Sequence, residues 1–310
     1  MKAPRLPSIR RPKLTRPTGQ DARAGLVLGL ESIPDGLAAG LLAGLNPVAG
    51  LYGYLFGTLA GALATSSALM TVQATGAMAV IIADIPALST DPDAASALAT
   101  LTVLTGVVML VAGLVGLGAV VRYVPNAVLA GFVNAVAINI MLGQLADFTG
   151  YEGQGDNRIV RALDTLFHVT SFHWPTFIVS LLTLGLILVL ERTKLGALGL
   201  FAAVVIASAL VALVEPLASV QTLADIAEVP RGLPMPVLPS FSWVLEMIVP
   251  AISLAFVGLV QGAAIGQSVP NPDGSYPDAS GDFRGQGVAN IVSGLMRGMP
   301  VGGSMSATSL

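Results

Sequence analysis

The sequence predicts an all-α polytopic membrane protein, and three observations predict it. The chain is 54% hydrophobic and only 11% charged, with a mean hydropathy of +0.79. A soluble domain carries about 25% charged residues. Several apolar runs reach the roughly 20 residues that a spanning helix requires. The ~10-residue alternating segments of a membrane β-barrel are missing from the pattern. The chain has no cysteine, which excludes disulfides and thiolate metal sites and leaves the compartment unread from redox chemistry.

The elements follow in order. Residues 1–21 read as a basic tail, and the first 23 residues hold Lys2, Arg5, Arg10, Arg11, Lys13, Arg16 and Arg23 of the chain's 15 Lys and Arg. Pro4, Pro7, Pro12 and Pro17 argue for irregular backbone, and no apolar core of a signal peptide lies among them. Beside a membrane span, the positive-inside bias makes this tail a cytoplasmic anchor rather than a nucleic-acid arm. Helices are expected over 22–43, 48–66, 74–86, 95–120, 125–147, 173–191, 197–214, 243–266 and 285–298, with a tenth starting near 303. Segments 74–86 and 285–298 are short. Counting from a cytoplasmic N-terminus puts Arg122 and the Glu191–Lys194 turn inside. The acidic loops at 84–94, 148–172 and 215–242 then fall outside, and the loop at 267–284 inside. The glycines from Gly36 to Gly61 recur at three or four residues through the first two helices, a spacing that lets backbones approach closely in lipid.

One polar-edged segment occurs twice. Its first copy is Met70 to Ile82 and its second Met299 to Leu310. Each opens on an extended stretch, passes through Gly, Ser or Thr, and starts an apolar helix too short to cross a bilayer. Helix one, Gly29-Leu30-Glu31-Ser32, and helix eight, Gly258-Leu259-Val260-Gln261, stand at the same place before each copy. Seven helices separate the equivalent elements, and an odd number reverses direction. The chain therefore reads as inverted seven-helix repeats with short half-helices at positions 3 and 10. The first repeat spans 22–214, and 215–242 is an extracytoplasmic loop. An incomplete second repeat fills 243–310. Such broken helices line sites in secondary transporters.

The chemistry these segments can offer is anion binding. A helix start leaves amides unpaired and carries partial positive charge, favouring an anion by roughly 0.3–1 kcal/mol when exposed and up to ~2 when partly buried. Thr75, Gly76, Ala77, Gly303, Ser304, Met305 and Ser306 are the candidates for contact. Asp35 and Gln261 join them from helices one and eight. Intramembrane carboxylates are costly and face a cavity or a partner. Glu31 and Asp35, four apart on one helix face, are therefore candidates for a coupling ion. Pro34 between them removes a backbone donor. Asn134, Asn139, Gln144 and Asn290 read as interhelical hydrogen bonds. His168 and His173 read as a solvated loop pair rather than metal ligands. No enzyme constellation and no phosphate-binding Gly-Lys motif is present, so the chain reads as a non-enzyme without an ATP-driven pump.

Three blocks of the sequence resemble those of SulP-type sulfate permeases and related anion transporters. The first runs from Gln20 to Gly25, then Ile33-Pro34-Asp35-Gly36. The second is Leu42-Ala43-Gly44-Leu45-Asn46-Pro47 continuing to Tyr52. The third runs from Asp282 to Leu295, then Met299-Pro300-Val301-Gly302-Gly303-Ser304. The resemblance implies two inverted seven-helix repeats, fourteen helices in all, with anions bound between half-helices 3 and 10 and a core that moves against a gate like an elevator. It implies a small anion (sulfate, bicarbonate, chloride or a dicarboxylate), coupling to protons or sodium in some members, no other cofactor, and a homodimer in the full-length protein. An inner-membrane location with the N-terminus in the cytoplasm goes with it. Two departures stand out: this chain has Asp35 where many members have Gln, and Gln261 where many have Glu. Ten helices are reached and the tenth is incomplete, so the chain is expected to be a piece of a longer protein. An anion channel or an uncoupled exchanger, and a nucleobase permease of the same fold, are the alternative readings.

Overall fold

Helix α1 spans Gly19–Leu42 because Thr18 and Asp21 cap it reciprocally. The Thr18 backbone N–H and hydroxyl both donate to Asp21 Oδ2 at 2.7 Å, and the Asp21 N–H donates back to the Thr18 hydroxyl. This computed structural model describes residues 18–90, 93–121, 125–196, 198–226 and 232–308. The tail's Lys2 to Arg16, together with Asp91, Arg122, Glu228 and Arg231, lie outside the described residues. The left-handed Gly44 (φ 66°) ends the first helical passage. Asn46 then caps a second, with Pro47 in its first turn. This is α2, Pro47–Ala64, interrupted by a wider π turn at Gly53–Gly57. The glycine spacing of the sequence is a packing seam here. A Cβ on Gly50 would stand 2.0 Å from the Gly36 carbonyl oxygen, so α1 and α2 touch backbone to backbone.

The next passage is broken as expected. A three-residue strand β1, Thr71–Gln73, leads into a short helix α3, Gly76–Ala83. Helices α4 (Ala94–Leu114), α5 (Asn126–Gly143), α6 (Trp174–Leu190), α7 (Leu198–Leu213) and α8 (Val244–Ser268) follow. Helix α9 runs Ala279–Leu295. It is longer than the expected 285–298 segment, because the Asp278 side chain caps it at the Ser280 N–H. The second copy of the broken passage is β2, Gly302–Ser304, with α10 beginning at Met305 rather than near 303. By length and apolar composition, four of the described helices can cross a membrane: Asp21–Leu42, Pro47–Ala64, Ala94–Leu114 and Phe241–Ser268. The expected 148–172 loop contains a helix of its own, Arg158–Phe167. Arg158 from that helix donates to the Val80 carbonyl of α3 (2.8 Å), to Asp84 (3.0 Å) and to Asn139 of α5 (2.9 Å).

The two strands pair antiparallel, with Thr71 opposite Ser304, Val72 opposite Gly303 and Gln73 opposite Gly302. The chain therefore passes this point in opposite directions, as inverted repeats demand. Around the pair sits the buried core, with Val72, Met78, Ile82, Leu101, Met109, Leu254, Met299 and Val301 all nearly inaccessible. Helices α4 and α9 pack at their backbones, where a Cβ on Gly106 would meet the Gly287 carbonyl at 2.7 Å. Outside this body, α6 packs on α7, α7 leans on α1, and α5 rests on α3.

Polar side chains from α9 fix β2 in place. Asn290 donates to the Val301 carbonyl (2.7 Å) and accepts from the Val301 N–H (2.9 Å), while Gln286 accepts from the Gly303 N–H (3.3 Å). Both side chains are fully buried. Asp282, buried in the first turn of α9, accepts from the Ser66 N–H and hydroxyl and the Ser67 N–H at 2.8–2.9 Å, tying α9 to the end of α2. Replacing Asn290 by Leu leaves two backbone groups unpaired in an apolar core, at about 1–3 kcal/mol each. Asn290→Leu is expected to lower the thermal unfolding temperature of detergent-purified protein strongly. Asn134→Leu, on an exposed stretch of α5, is expected to leave it nearly unchanged.

Candidate functional site

Thr75 ends β1 in an extended conformation and caps α3, its hydroxyl accepting from the Met78 N–H. The Gly76 and Ala77 amides precede the first intrahelical bond and carry no such obligation. The Thr75 hydroxyl also donates to Gln261 Oε1 at 3.0 Å, joining α3 to α8. This leaves the Gln261 amide nitrogen as the group free to donate. On the other strand, Ser304 caps α10 by accepting the Ala307 N–H, and its hydroxyl lies 3.2 Å from that of Ser306. Helix α8 reaches β2 because both partners are glycine: a Cβ on Gly303 would stand 2.9 Å from the Gly262 Cα.

These residues wall one cavity of about 460 Å³. Thr75, Gly76, Ala77, Gly303, Ser304, Met305, Ser306, Asp35 and Gln261 all line it, so nine separate sequence expectations converge on one space. Ala38, Ala39 and Leu42 of α1, Val133, Val136, Ile140 and Gln144 of α5, and Val260, Ala264 and Ile265 of α8 supply most of the remaining wall, which is apolar but for Gln144. Among the described residues, no Lys, Arg or His lines it. Asp35 is the carboxylate there, and the Tyr54 hydroxyl donates to its Oδ2.

Glu31 does not reach this cavity. It lines a separate small recess one turn back along α1, a recess that Asp35 also borders. Gln144 lines the cavity wall, and Asn290 bonds across to Met109 of α4 (3.3 Å) as well as to Val301 just before β2. His168 pairs with Asp164 at 3.2 Å and His173 with the Thr176 hydroxyl at 2.8 Å, both in the loop region. Asp164 also accepts the Gln154 N–H (2.9 Å) and the Tyr151 hydroxyl (3.1 Å), and these bonds, the backbone one first, hold its carboxyl below the usual range.

Sequence reading passed over three contributors. Tyr54 holds Asp35, Gln73 reaches back to Ser32, and Gln286 holds the Gly303 amide. The signal for Gln73 and Gln286 was present, since each is an amide inside an apolar or glycine-rich run. Tyr54 carried none, as either tyrosine of a glycine stripe, Tyr52 or Tyr54, looks like packing.

Comparison with known proteins agrees with this geometry. A family model described as the sulfate permease family matches residues 19–310. A probable sulfate transporter of Mycobacterium tuberculosis is 31% identical over 299 residues, which is 94% of this chain and 52% of that protein. The bicarbonate transporter BicA of Picosynechococcus is 28% identical over 299 residues, covering 93% of this chain and 52% of that protein. The chain spans about half the length of the curated relatives it matches. The transmembrane domain of a cyanobacterial BicA superposes with a TM-score of 0.78 at 21% identity, covering 95% of this chain and 77% of that one. The murine Slc26a9 anion transporter in its inward-facing state gives 0.81 at 22%, covering 96% and 53%. These structures share the overall fold of this chain. With the family match running through both broken passages, the chain belongs to the sulfate permease family.

Proposed function

We propose that the chain forms the anion-carrying part of a secondary active transporter for a small anion: sulfate, bicarbonate or a dicarboxylate. The observation that carries this reading is the cavity at the two half-helix starts, which offers amides and hydroxyls but, among the described residues, no cationic side chain. Such a lining suits a fully ionised oxyanion that must be held and then released. Relatives named as sulfate and bicarbonate transporters support the substrate class.

Asp35 sets the energetics. An anion about 4 Å from an ionised carboxylate is repelled by about 4 kcal/mol at an effective dielectric of about 20. Two helix starts return at most about 2 kcal/mol each. Both terms grow in proportion to the anion's charge, so their sum stays near zero and the anion binds well only once a proton or a sodium ion neutralises Asp35. This makes uptake proton- or sodium-coupled. The cavity lies between α5 on one side and α3, α8 and β2 on the other. Displacement of the second group against α5, in the manner of an elevator, would carry the site across. The same reading seats the protein in the cytoplasmic membrane with its N-terminus inside, and makes the full-length protein a homodimer.

Uptake of labelled sulfate, bicarbonate and succinate into proteoliposomes holding the full-length protein tests this. Saturable, gradient-driven uptake of one anion is expected. Currents far faster than a conformational cycle would instead mean a channel. In the same assay, Ser304→Ala is expected to raise the apparent KM roughly tenfold to a hundredfold, matching loss of a hydrogen bond to a charged group worth about 1.5–3 kcal/mol. Asp35→Asn is expected to transport without dependence on a proton or sodium gradient; full gradient dependence in that variant would end the coupling role of Asp35.

A further inference from the structure

The small recess beside the main cavity is built from oxygen. Glu31, Ser32 and Asp35 of α1, Gln73 of β1 and Ser306 of α10 border it. Its volume is about 10 Å³, space for a single water-sized particle. Gln73 is only 1% exposed. Its amide nitrogen donates to the Ser32 hydroxyl at 3.0 Å. Its Oε1 is fully buried and has no hydrogen-bond partner, and the same holds for Oε2 of Glu31. A buried acceptor without a donor is a costly arrangement in a folded protein.

The charge around the recess points one way. Two carboxylates face it, and none of the ion pairs among the described residues involves Glu31 or Asp35. Among the described residues, no Lys, Arg or His borders it. Asp35 gives one oxygen to the Tyr54 hydroxyl, which leaves its other oxygen for the recess. The donor set is all oxygen, without nitrogen or sulfur ligands, which selects a hard cation. Magnesium keeps several of its waters, and a recess with space for one water-sized particle has no room for them.

We propose that the recess is a binding site for a small monovalent cation of the sodium class, held by Glu31, Asp35, Ser32 and the Gln73 side-chain carbonyl. Asp35 borders both the recess and the main cavity. A cation held there cancels the carboxylate's charge toward an anion on the other side, so that each ion raises the other's affinity. That consequence rests on the transport reading; the cation site itself does not.

The test is sodium binding to the detergent-purified full-length protein, read by radioactive sodium and by thermal unfolding in NaCl against choline chloride at equal ionic strength. Saturable stabilisation by sodium, with little from potassium or calcium, is expected. Glu31→Gln is expected to weaken sodium binding at least tenfold, and Gln73→Leu to abolish it. Gln73→Glu separates this site from a plain amide bridge. If the Gln73 oxygen is a ligand, a carboxylate there keeps or tightens sodium binding. If the amide instead turns its nitrogen toward Glu31, the variant sets a third carboxylate against the other two, and loss of sodium binding overturns the proposal. Equal stabilisation by choline, or preference for calcium, also overturns it. Protein that binds sodium but moves no anion keeps the site and refutes only the transport reading. Protein that moves anions without any sodium effect refutes only the site.

Discussion

The structure depends on a constraint imposed by the bilayer: a backbone that leaves the helix in mid-membrane must find every hydrogen bond within the protein. Here two such departures satisfy each other. Residues 71–73 and 302–304 form a strand pair only three residues long, and a pair that short is not stable by itself. It holds because Asn290 of α9 takes both backbone groups of Val301 just before β2, Gln286 takes the Gly303 amide, and the Thr58 hydroxyl of α2 donates to the Val72 carbonyl of β1. Glycines at 262, 303, 106 and 287 let the flanking helices come close enough to do so.

From this pairing follows the electrostatic character of the site. Antiparallel strands send α3 and α10 away in opposite directions, so each helix presents its positive start to the region of the pair. Among the described residues that line the cavity, the helix starts thus favour an anion without a lysine or arginine beside it. A cationic side chain would bind an anion more tightly and release it more slowly. The Asp35 carboxylate works against the helix starts, which is the physical ground of the coupling proposed above.

Much of this was legible in the chain. Thr75 and Ser304 stand just before short apolar runs, and their cap roles follow from residue type alone. The glycine spacing through α1 and α2 announced close packing, and the structure shows Gly50 against Gly36. The start of α9 was misplaced by six residues because Asp278, Gly281 and Asp282 read as loop. Asp282 is buried only because Ser66 and Ser67, more than 200 positions earlier, deliver three donors to it. No local pattern encodes a partner at that distance.

The sequence by itself determined the class of fold, the two broken passages and their opposite directions, because hydropathy, cap residues and helix count are local or additive properties of the chain. Only the tertiary structure decided which polar groups share a space. It separated Glu31 from the main cavity although Glu31 and Asp35 lie on one helix face. It brought Tyr54 to Asp35, and left one oxygen of Gln73 and one of Glu31 buried without donors. Those facts depend on the crossing of α1, α2 and β1. That crossing is set by the backbone contact of Gly50 on Gly36 and by bonds such as Thr58 to Val72, between residues that no local pattern pairs.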